Sequence, residues 1–302
     1  MRNHADGTVD WHAVERVLIL KVSSMGDVVH ASPVAAALKR AYPHLRIGWV
    51  AEDRHGGVLV GSPRIDRIHI LPHASLRRIS TMARVVRQIS REIRAERYQV
   101  AIDLQGLLKS AMWGVLGGVP MRFGGHRLRE LTPLILRRIP IQDRPDRHVV
   151  QQYLDALRWL GVPCEFPDLY RTPDDARLPE PPVEFPLAVS SEAEASVRQK
   201  LHALGVGDAP LITLNPSAGR EWKRWALEQF AELSDRIETE LGLPTVFLGG
   251  RGDLPLAERL QSLKQCPLRS LIGQTNLEEL KALIRCSAVH VCGDTGSAHL
   301  AS

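Results

Sequence analysis

Five polar segments, each directly following a short apolar run, hold residue types suited to binding phosphate or transferring a group. Residues 17–20 (VLIL) lead to Ser23, Ser24, Met25, Gly26 and Asp27, and residues 98–104 (YQVAIDL) lead to Gln105, Gly106, Leu107, Leu108, Lys109 and Ser110. In the second half, LITL precedes NPSAGREWKRW with Ser217 and Lys223, VFL precedes GGRGD with Arg251, and AVHVC precedes Gly293, Asp294, Thr295, Gly296, Ser297, Ala298 and His299. A strand end running into a helix near Ser297 leaves backbone N–H groups without intrahelical partners, an arrangement that suits a phosphate or diphosphate. Asp294 and Thr295 read equally well as caps of that helix. Lys223 reads either as a cation facing the same phosphates or as a surface lysine. The usual phosphate loops are absent: no GxGxxG follows the first run, and GLLKS and GGRGD lack Walker spacing. Where such glycines would stand, the first loop carries two serines, one glycine and an aspartate.

These segments need strands to present them. RVLILKV, RIGWVA, RIHILP and YQVAIDL alternate with helical stretches, as βαβ units do, and predict a parallel, Rossmann-like layer. In the second half PLITLNP, PTVFLGG and AVHVCGD alternate with the helical ALEQFAELSDRIETEL and LEELKALIRC and predict another. Between them, TPDDARLPEPPVEFPL carries five prolines and no apolar period, which marks a linker. The expected organisation is an N-terminal domain over residues 1–172, a linker over 173–187 and a C-terminal domain over 188–302, facing each other across a cleft with ligands at the carboxyl ends of the strands. Gly26 is expected to permit a tight turn, and Ser32 and Pro33 to restart a helix as N-cap and first residue. No internal repeat or low-complexity tract is present.

A chain of 302 residues, 44% hydrophobic and 24% charged, is long enough for two cores. No apolar run approaches the ~20 residues that cross a bilayer, and the N-terminus has no signal-peptide core, which predicts a cytoplasmic protein. Cys164, Cys266, Cys286 and Cys292 show neither CxxC nor metal spacing and are expected to be reduced, buried thiols. Residues 1–150 hold 24 Lys and Arg against 13 Asp and Glu, while residues 151–302 hold 15 against 21. The first half therefore expects an anionic partner. Arginines recur at three- and four-residue spacing over 84–97 with Val85, Val86, Ile89 and Ile93 between them. That is the pattern of an amphipathic helix whose basic face either binds or is simply solvated.

Taken in order, KVSSMGDVVHASP, AIDLQGLLKSA, LNPSAGREWKRW and SLIGQTNLEELKALIRCSAVHVCGDTGSAHLA resemble the ADP-heptose:lipopolysaccharide heptosyltransferases, glycosyltransferase family 9, from about residue 15 to the end of the chain. SSMGDVVH followed by DLQGLLKS is most like the type I enzymes, which place the first heptose on the Kdo sugar of lipid A. The resemblance implies the α/β GT-B fold and an inverting sugar transfer without a metal ion or other cofactor, and no DxD motif is present. It makes Asp27 the catalytic base and Lys223 the contact to the donor diphosphate. Ser217, Asp294, Thr295, Gly296 and His299 match the donor loops, and Gly273 and Thr275 the turn near the nucleoside. Ser24, Gly26, Gln105, Lys109, Arg127 and Arg129 fall where an anionic, lipid-linked acceptor (Kdo-lipid A) approaches. The implied partners are ADP-heptose, that acceptor and the inner face of the cytoplasmic membrane, with a monomeric protein bound there peripherally.

Relatives often read DTGPMH where this chain reads DTGSAH, and the family continues with a further strand and helices beyond HLA, so the second domain is expected to be incomplete. Arg251 stands where some relatives carry an acidic residue near the ribose. Competing readings are a transferase of the same fold with another nucleotide sugar or glycan acceptor, and a truncated, non-catalytic sugar-nucleotide or glycan binder. A nucleic-acid binder is the weakest, because no stacking platform accompanies the arginines and aromatic residues make up only 5% of the chain.

Overall fold

A computed structural model describes residues 9–125, 128–140, 147–164, 183–207 and 209–302. The chain divides into two compact units, Met1–Ala188 and Val189–Ser302.

The first unit is built on a six-stranded parallel sheet. Its strands are β1 (Arg16–Leu20), β2 (Arg46–Glu52), β3 (Arg67–Leu71), β4 (Val100–Asp103), β5 (Met121–Gly124) and the two-residue β6 (Arg137–Arg138), in the order β3-β2-β1-β4-β5-β6. β1, β2 and β4 are unbroken apolar runs because helices cover both faces of the sheet, so no residue of their interiors meets water. The order reverses between β1 and β4: the chain leaves β1 toward β2 and leaves β4 toward β5. The loops after these two neighbouring strands therefore diverge and open a crevice, the position at which doubly wound sheets hold ligands. The helix Ile79–Ala95 packs Ile89 and Ile93, with Val85 and Val86 beside them, on Leu18, Leu20, Val50, Tyr98 and Ala101.

Two local expectations fail in the first loop. Gly26 lies in the first turn of helix α1 (Met25–Ala31), where its backbone is helical and makes no tight turn. Pro33 does open α2 (Pro33–Ala41), but Ser32 is itself helical and its hydroxyl donates to Val29 O at 2.8 Å. That bond runs back to the preceding turn in place of a cap. The thiols also differ from expectation: Cys164, Cys266 and Cys292 are half-buried and Cys286 is exposed, because they lie in loops or at the ends of elements. All four are free. Residues 173–182 of the expected linker lie outside the described residues. In its remainder, Glu184 takes both Nε (2.7 Å) and a terminal nitrogen (3.2 Å) of Arg64, and also Arg40 (3.2 Å). This forked, charge-assisted pairing fastens the stretch to the first unit.

The second unit carries a three-stranded parallel sheet in the order β8-β7-β9, with β7 at Leu211–Asn215, β8 at Thr245–Phe247 and β9 at Ser287–Cys292. Each face of β7 and β8 has its own core. Leu211 and Val246 pack with Ala193 and Val197 of the helix Ser191–Ala203 and with Ala282 and Leu283 of the helix Leu277–Cys286. Ile212, Leu214 and Phe247 pack with Leu227 and Phe230 of the helix Leu227–Arg236 and with Leu260 of the helix Leu254–Leu263. β9 is less covered, with Val289 half exposed.

Gly48 in the middle of β2 explains how Tyr98 enters the core. A Cβ there would lie 2.0 Å from the Tyr98 hydroxyl oxygen, which sits 2.9 Å from Nε2 of His69. Burial pushes the His69 imidazole down to about 4 and raises the Tyr98 phenol, so this pair is neutral at physiological pH. Gly48→Ala is expected to expel the Tyr98 ring and destabilise the first unit by about 1–3 kcal/mol, the usual cost of overpacking, read as a lower midpoint in urea unfolding.

Candidate active site

At the switch point between β1 and β4 lies a cavity of ≈ 400 Å³, lined by Lys21, Ser23, Asp27, Asp103, Gln105 and Arg129 among others, with Tyr153 from the helix Val149–Trp159. Lys21 is the first residue after β1 and is buried, its backbone oxygen accepting from Trp49 Nε1 at 3.1 Å. Its ammonium donates to Leu104 O at 3.3 Å, stands 3.6 Å from Asp27 Oδ1, and lies 5.4 Å from the centre of the Tyr153 ring.

Asp27 has two tasks, one for each oxygen. Oδ2 accepts from the Ser24 N–H (3.0 Å) and the Ser24 hydroxyl (2.8 Å), while Oδ1 faces Lys21. The first pair of bonds caps α1. The helix-cap reading and the reactive reading of this residue therefore hold together. Burial alone would raise the Asp27 carboxyl, but the Lys21 charge and the two Ser24 hydrogen bonds outweigh it and hold the group below the usual carboxylate range. Asp27 is thus ionised at neutral pH. Its contribution to stability is full above the pKa of an unfolded aspartate and is lost as the pH falls through the lowered native value.

The loop after β4 is locked to the loop after β1. Gln105 Oε1 accepts from the Val22 N–H (2.7 Å) and the Ser23 N–H (3.3 Å), and its Nε2 donates to Ser23 Oγ (3.2 Å). Gln105 therefore lines the cavity but uses its amide to join the loops. Lys109, half exposed, donates to Ser23 Oγ at 3.0 Å and lies 3.7 Å from Glu52 Oε1. Asp103, fully buried, accepts from the N–H groups of Gln105 and Gly106 (both 2.7 Å) and from Ser110 Oγ (2.8 Å). Burial raises its carboxyl despite those three bonds. Arg129 reaches the cavity wall, and its N–H donates to Gly106 O at 2.9 Å. Arg127 lies outside the described residues.

In the second unit the loops after β7 and β9 meet. A Cβ on Gly293 would lie 2.5 Å from the carbonyl oxygen of Lys223. Only glycine therefore lets the β9 loop pass this close to the short turn Glu221–Lys223. The Lys223 ammonium is hydrogen-bonded to the Asp294 carboxylate and lies 5.1 Å from the centre of the Trp222 ring. The bond from Lys223 holds the exposed Asp294 below the usual carboxylate range, with a smaller contribution from His299. The helix after this loop, Ala298–Ala301, has Ser297 at its N-cap position, so Asp294 and Thr295 are not its caps. Ser217 donates from its N–H (3.1 Å) and hydroxyl (2.7 Å) to Asn215 Oδ1. Asn215 Nδ2 donates to Ser297 Oγ (2.9 Å), which sits 3.0 Å from His290 Nε2. His290 Nδ1 in turn lies 2.9 Å from Thr213 Oγ1, and burial lowers this imidazole, so it is neutral at pH 7. With the proton on Nδ1, every bond in the chain from Asn215 through Ser297 and His290 to Thr213 has one donor and one acceptor. Gly273 takes φ +73° in the turn leading to the helix Leu277–Cys286, with Thr275 beside the Asn276 cap, and Arg251 is exposed in the turn Arg251–Asp253.

The sequence reading missed Lys21, Asp103, Tyr153, Asn215 and Ser297. Asp103 left a signal, a carboxylate inside an apolar run. Tyr153 left none, because only the packing of its helix brings it to the cavity. Ser297, one of the two departures in DTGSAH, is a hydrogen-bonded joint between β7 and β9.

Two parallel α/β units with ligand-type loops at their strand ends are the parts of a GT-B fold. The family model described as Glycosyltransferase family 9 (heptosyltransferase) matches residues 86–302, and the chain belongs to that family. It is 23% identical over 296 residues to the lipopolysaccharide core heptosyltransferase OpsX of Haemophilus influenzae, covering 96% of this chain and 76% of that protein. Among solved structures, a family 9 glycosyl transferase from Veillonella parvula superposes with a TM-score of 0.78 at 21% identity, covering 98% of this chain and 79% of the other. The Escherichia coli heptosyltransferase WaaC with ADP gives 0.70 at 22% identity, over 95% and 83%.

Against the raising effect of burial, the Lys21 charge is the largest of the interactions that lower the Asp27 pKa. Lys21→Met, similar in length but uncharged, is expected to raise the Asp27 pKa toward or above the ordinary carboxylate value, because burial then acts with less opposition. NMR titration of the Asp27 carboxyl carbon reads this without any substrate, and an unshifted titration would exclude the coupling.

Proposed function

We propose that the chain transfers a heptose, with inversion, from ADP-heptose to the Kdo or inner-core region of lipopolysaccharide, with Asp27 as general base. The observation that carries this reading is the Asp27 carboxylate. It is ionised, fixed by Ser24 and Lys21, and lines the cavity at the switch point of the first sheet. Family membership and the relatives named as heptosyltransferases support the donor and acceptor classes.

In the proposed reaction an acceptor hydroxyl attacks the anomeric carbon from the face opposite the diphosphate. The new C–O bond forms as the bond to the leaving phosphate oxygen breaks, and the hydroxyl proton passes to Asp27. A lowered pKa makes Asp27 a modest base, but one that is charged at working pH and needs no rearrangement. Lys21 compensates the carboxylate before transfer and keeps it anchored afterwards. On the donor side the reading assigns the charge on the departing ADP to Lys223 and to backbone N–H groups of residues 294–296, with Ser217 beside them and no metal ion. Asp294 repels a diphosphate, so its assigned part is to hold Lys223 in place until the donor arrives. Gly273 and Thr275 are assigned to the nucleoside. Ser24, Gly26, Gln105, Lys109, Arg127 and Arg129 are assigned to the acceptor side, where Arg129 and Lys109 supply positive charge for an anionic sugar. The acceptor is lipid-linked, so the enzyme works at the inner face of the cytoplasmic membrane, as a monomer.

Asp27→Asn keeps an acceptor for the Ser24 cap and removes only the base. It is expected to lower kcat by about 10²–10⁴-fold with donor KM nearly unchanged, measured as ADP release with Kdo-lipid A as acceptor. A variant of normal kcat would remove Asp27 from the chemistry.

Lys223→Ala leaves Asp294 uncompensated and is expected to weaken ADP binding by about 10–100-fold, the loss of one charge-assisted hydrogen bond, in calorimetric titration. Unchanged affinity would make Lys223 a surface residue.

A further inference from the structure

The helix Ile79–Ala95 has two faces with separate fates. Val85, Val86, Ile89 and Ile93 hold it to the sheet, and on the opposite side Arg84, Arg87, Arg91 and Arg94 follow one another at spacings of three, four and three. All four are exposed. Arg94 donates to Leu116 O at 2.7 Å, but among the described residues no carboxylate pairs with Arg84, Arg87 or Arg91. The helix's own acids are engaged elsewhere: Glu92 accepts from Gln88 at 3.0 Å, and Glu96, just past its end, pairs with Arg16 at 2.7 Å. Exposed Arg77 and Arg78 stand just before the first turn, and Met82, 43% exposed, lies near it.

Like charges at these spacings repel, so the row weakens its own helix unless an anion lies against it. The row is about 15 Å long at about 1.5 Å per residue and lies on a convex helix, not in a cavity. That shape fits many dispersed negative charges better than one phosphate group. No Phe, Trp or Tyr occurs over residues 77–97. The face therefore offers no platform for stacking bases, which favours a lipid surface over single-stranded nucleic acid. No helix among the described residues is long and apolar enough to cross a membrane, so contact with a bilayer through this unit must be made from outside it.

We infer that the arginine face of the helix Ile79–Ala95 docks the protein on an anionic bilayer surface. The choice of a bilayer as partner rests on the lipid-linked acceptor proposed above; the face itself rests on its uncompensated charge and geometry. Electrostatic attraction supplies the contact, with the arginines at the level of the headgroup phosphates.

The test is co-sedimentation of the full chain with vesicles of phosphatidylcholine alone, or mixed equally with phosphatidylglycerol, over a salt series. Binding is expected only to the anionic vesicles and to weaken as salt rises. The triple variant Arg84→Glu, Arg87→Glu, Arg91→Glu is expected to lose about a hundredfold or more in partition, while the triple lysine variant keeps most of it. Circular dichroism and the urea unfolding midpoint of each variant check that the first unit is intact. Equal binding to neutral vesicles, anionic binding that survives the triple glutamate change, or tighter binding to duplex DNA than to anionic vesicles in the same buffer would overturn the inference. A transfer assay with a lipid-free core sugar separates the two proposals. Its failure in the parent chain counts against the transferase reading, while the vesicle titration alone decides the surface.

Discussion

A buried ammonium beside a half-buried carboxylate is the constraint on which the first unit's site depends. Lys21 has almost no contact with water, and a charge in that position is costly without partners. Its partners come from three parts of the chain: Asp27 in α1, the Leu104 carbonyl just past β4, and the Tyr153 ring on the helix Val149–Trp159. The lysine and the two Ser24 hydrogen bonds hold the carboxylate below the usual range against the effect of burial, and the lysine is itself held by the β4 end and the Tyr153 ring. An acid–base group is thereby fixed in orientation and charge before any ligand arrives, the preorganisation that group transfer requires.

The same logic of polar groups committed to one another runs through the loops. Gln105 lines the cavity, and its carboxamide satisfies backbone N–H groups at Val22 and Ser23, which ties the loop after β4 to the loop after β1. Asp103 does the same for the start of the β4 loop. In the second unit, Gly293 permits close approach, the Lys223–Asp294 pair bridges the loops after β7 and β9, and the chain from Ser217 through Asn215 and Ser297 to His290 ties their bases. Lys223 without Asp294 would be a long, mobile cation. The carboxylate confines it at the expense of competing with an incoming diphosphate.

Ser297 shows why a motif departure has to be judged in three dimensions. As a change from proline in a loop it looks neutral, since the neighbouring polar residues are intact. In the fold it is nearly inaccessible, takes the Asn215 amide and meets the His290 ring. A proline could make none of these contacts, so the joint between β7 and β9 belongs to this version of the loop.

The amino-acid sequence by itself determined the two α/β layers, most of the strands and the family, because buried parallel strands require unbroken apolar runs and strand-end loops are local in the chain. Asp27, Lys223 and Gly293–Gly296 were legible for that reason, as short stretches whose residue types declare themselves. β5 and the two-residue β6 were not legible, since a short strand at the side of a sheet needs no long apolar run. Tertiary structure alone decided the environment of Asp27: part of the lowering of its pKa comes from Lys21, which is held by the end of β4 and by a helix more than 120 residues further along. It also decided that Gln105 joins loops, that Gly26 is helical and that Ser297 is a joint. Each of these rests on a partner distant in sequence, and hydrogen bonds and Coulomb forces act over ångströms of space, which the spacing of residues along a chain does not record.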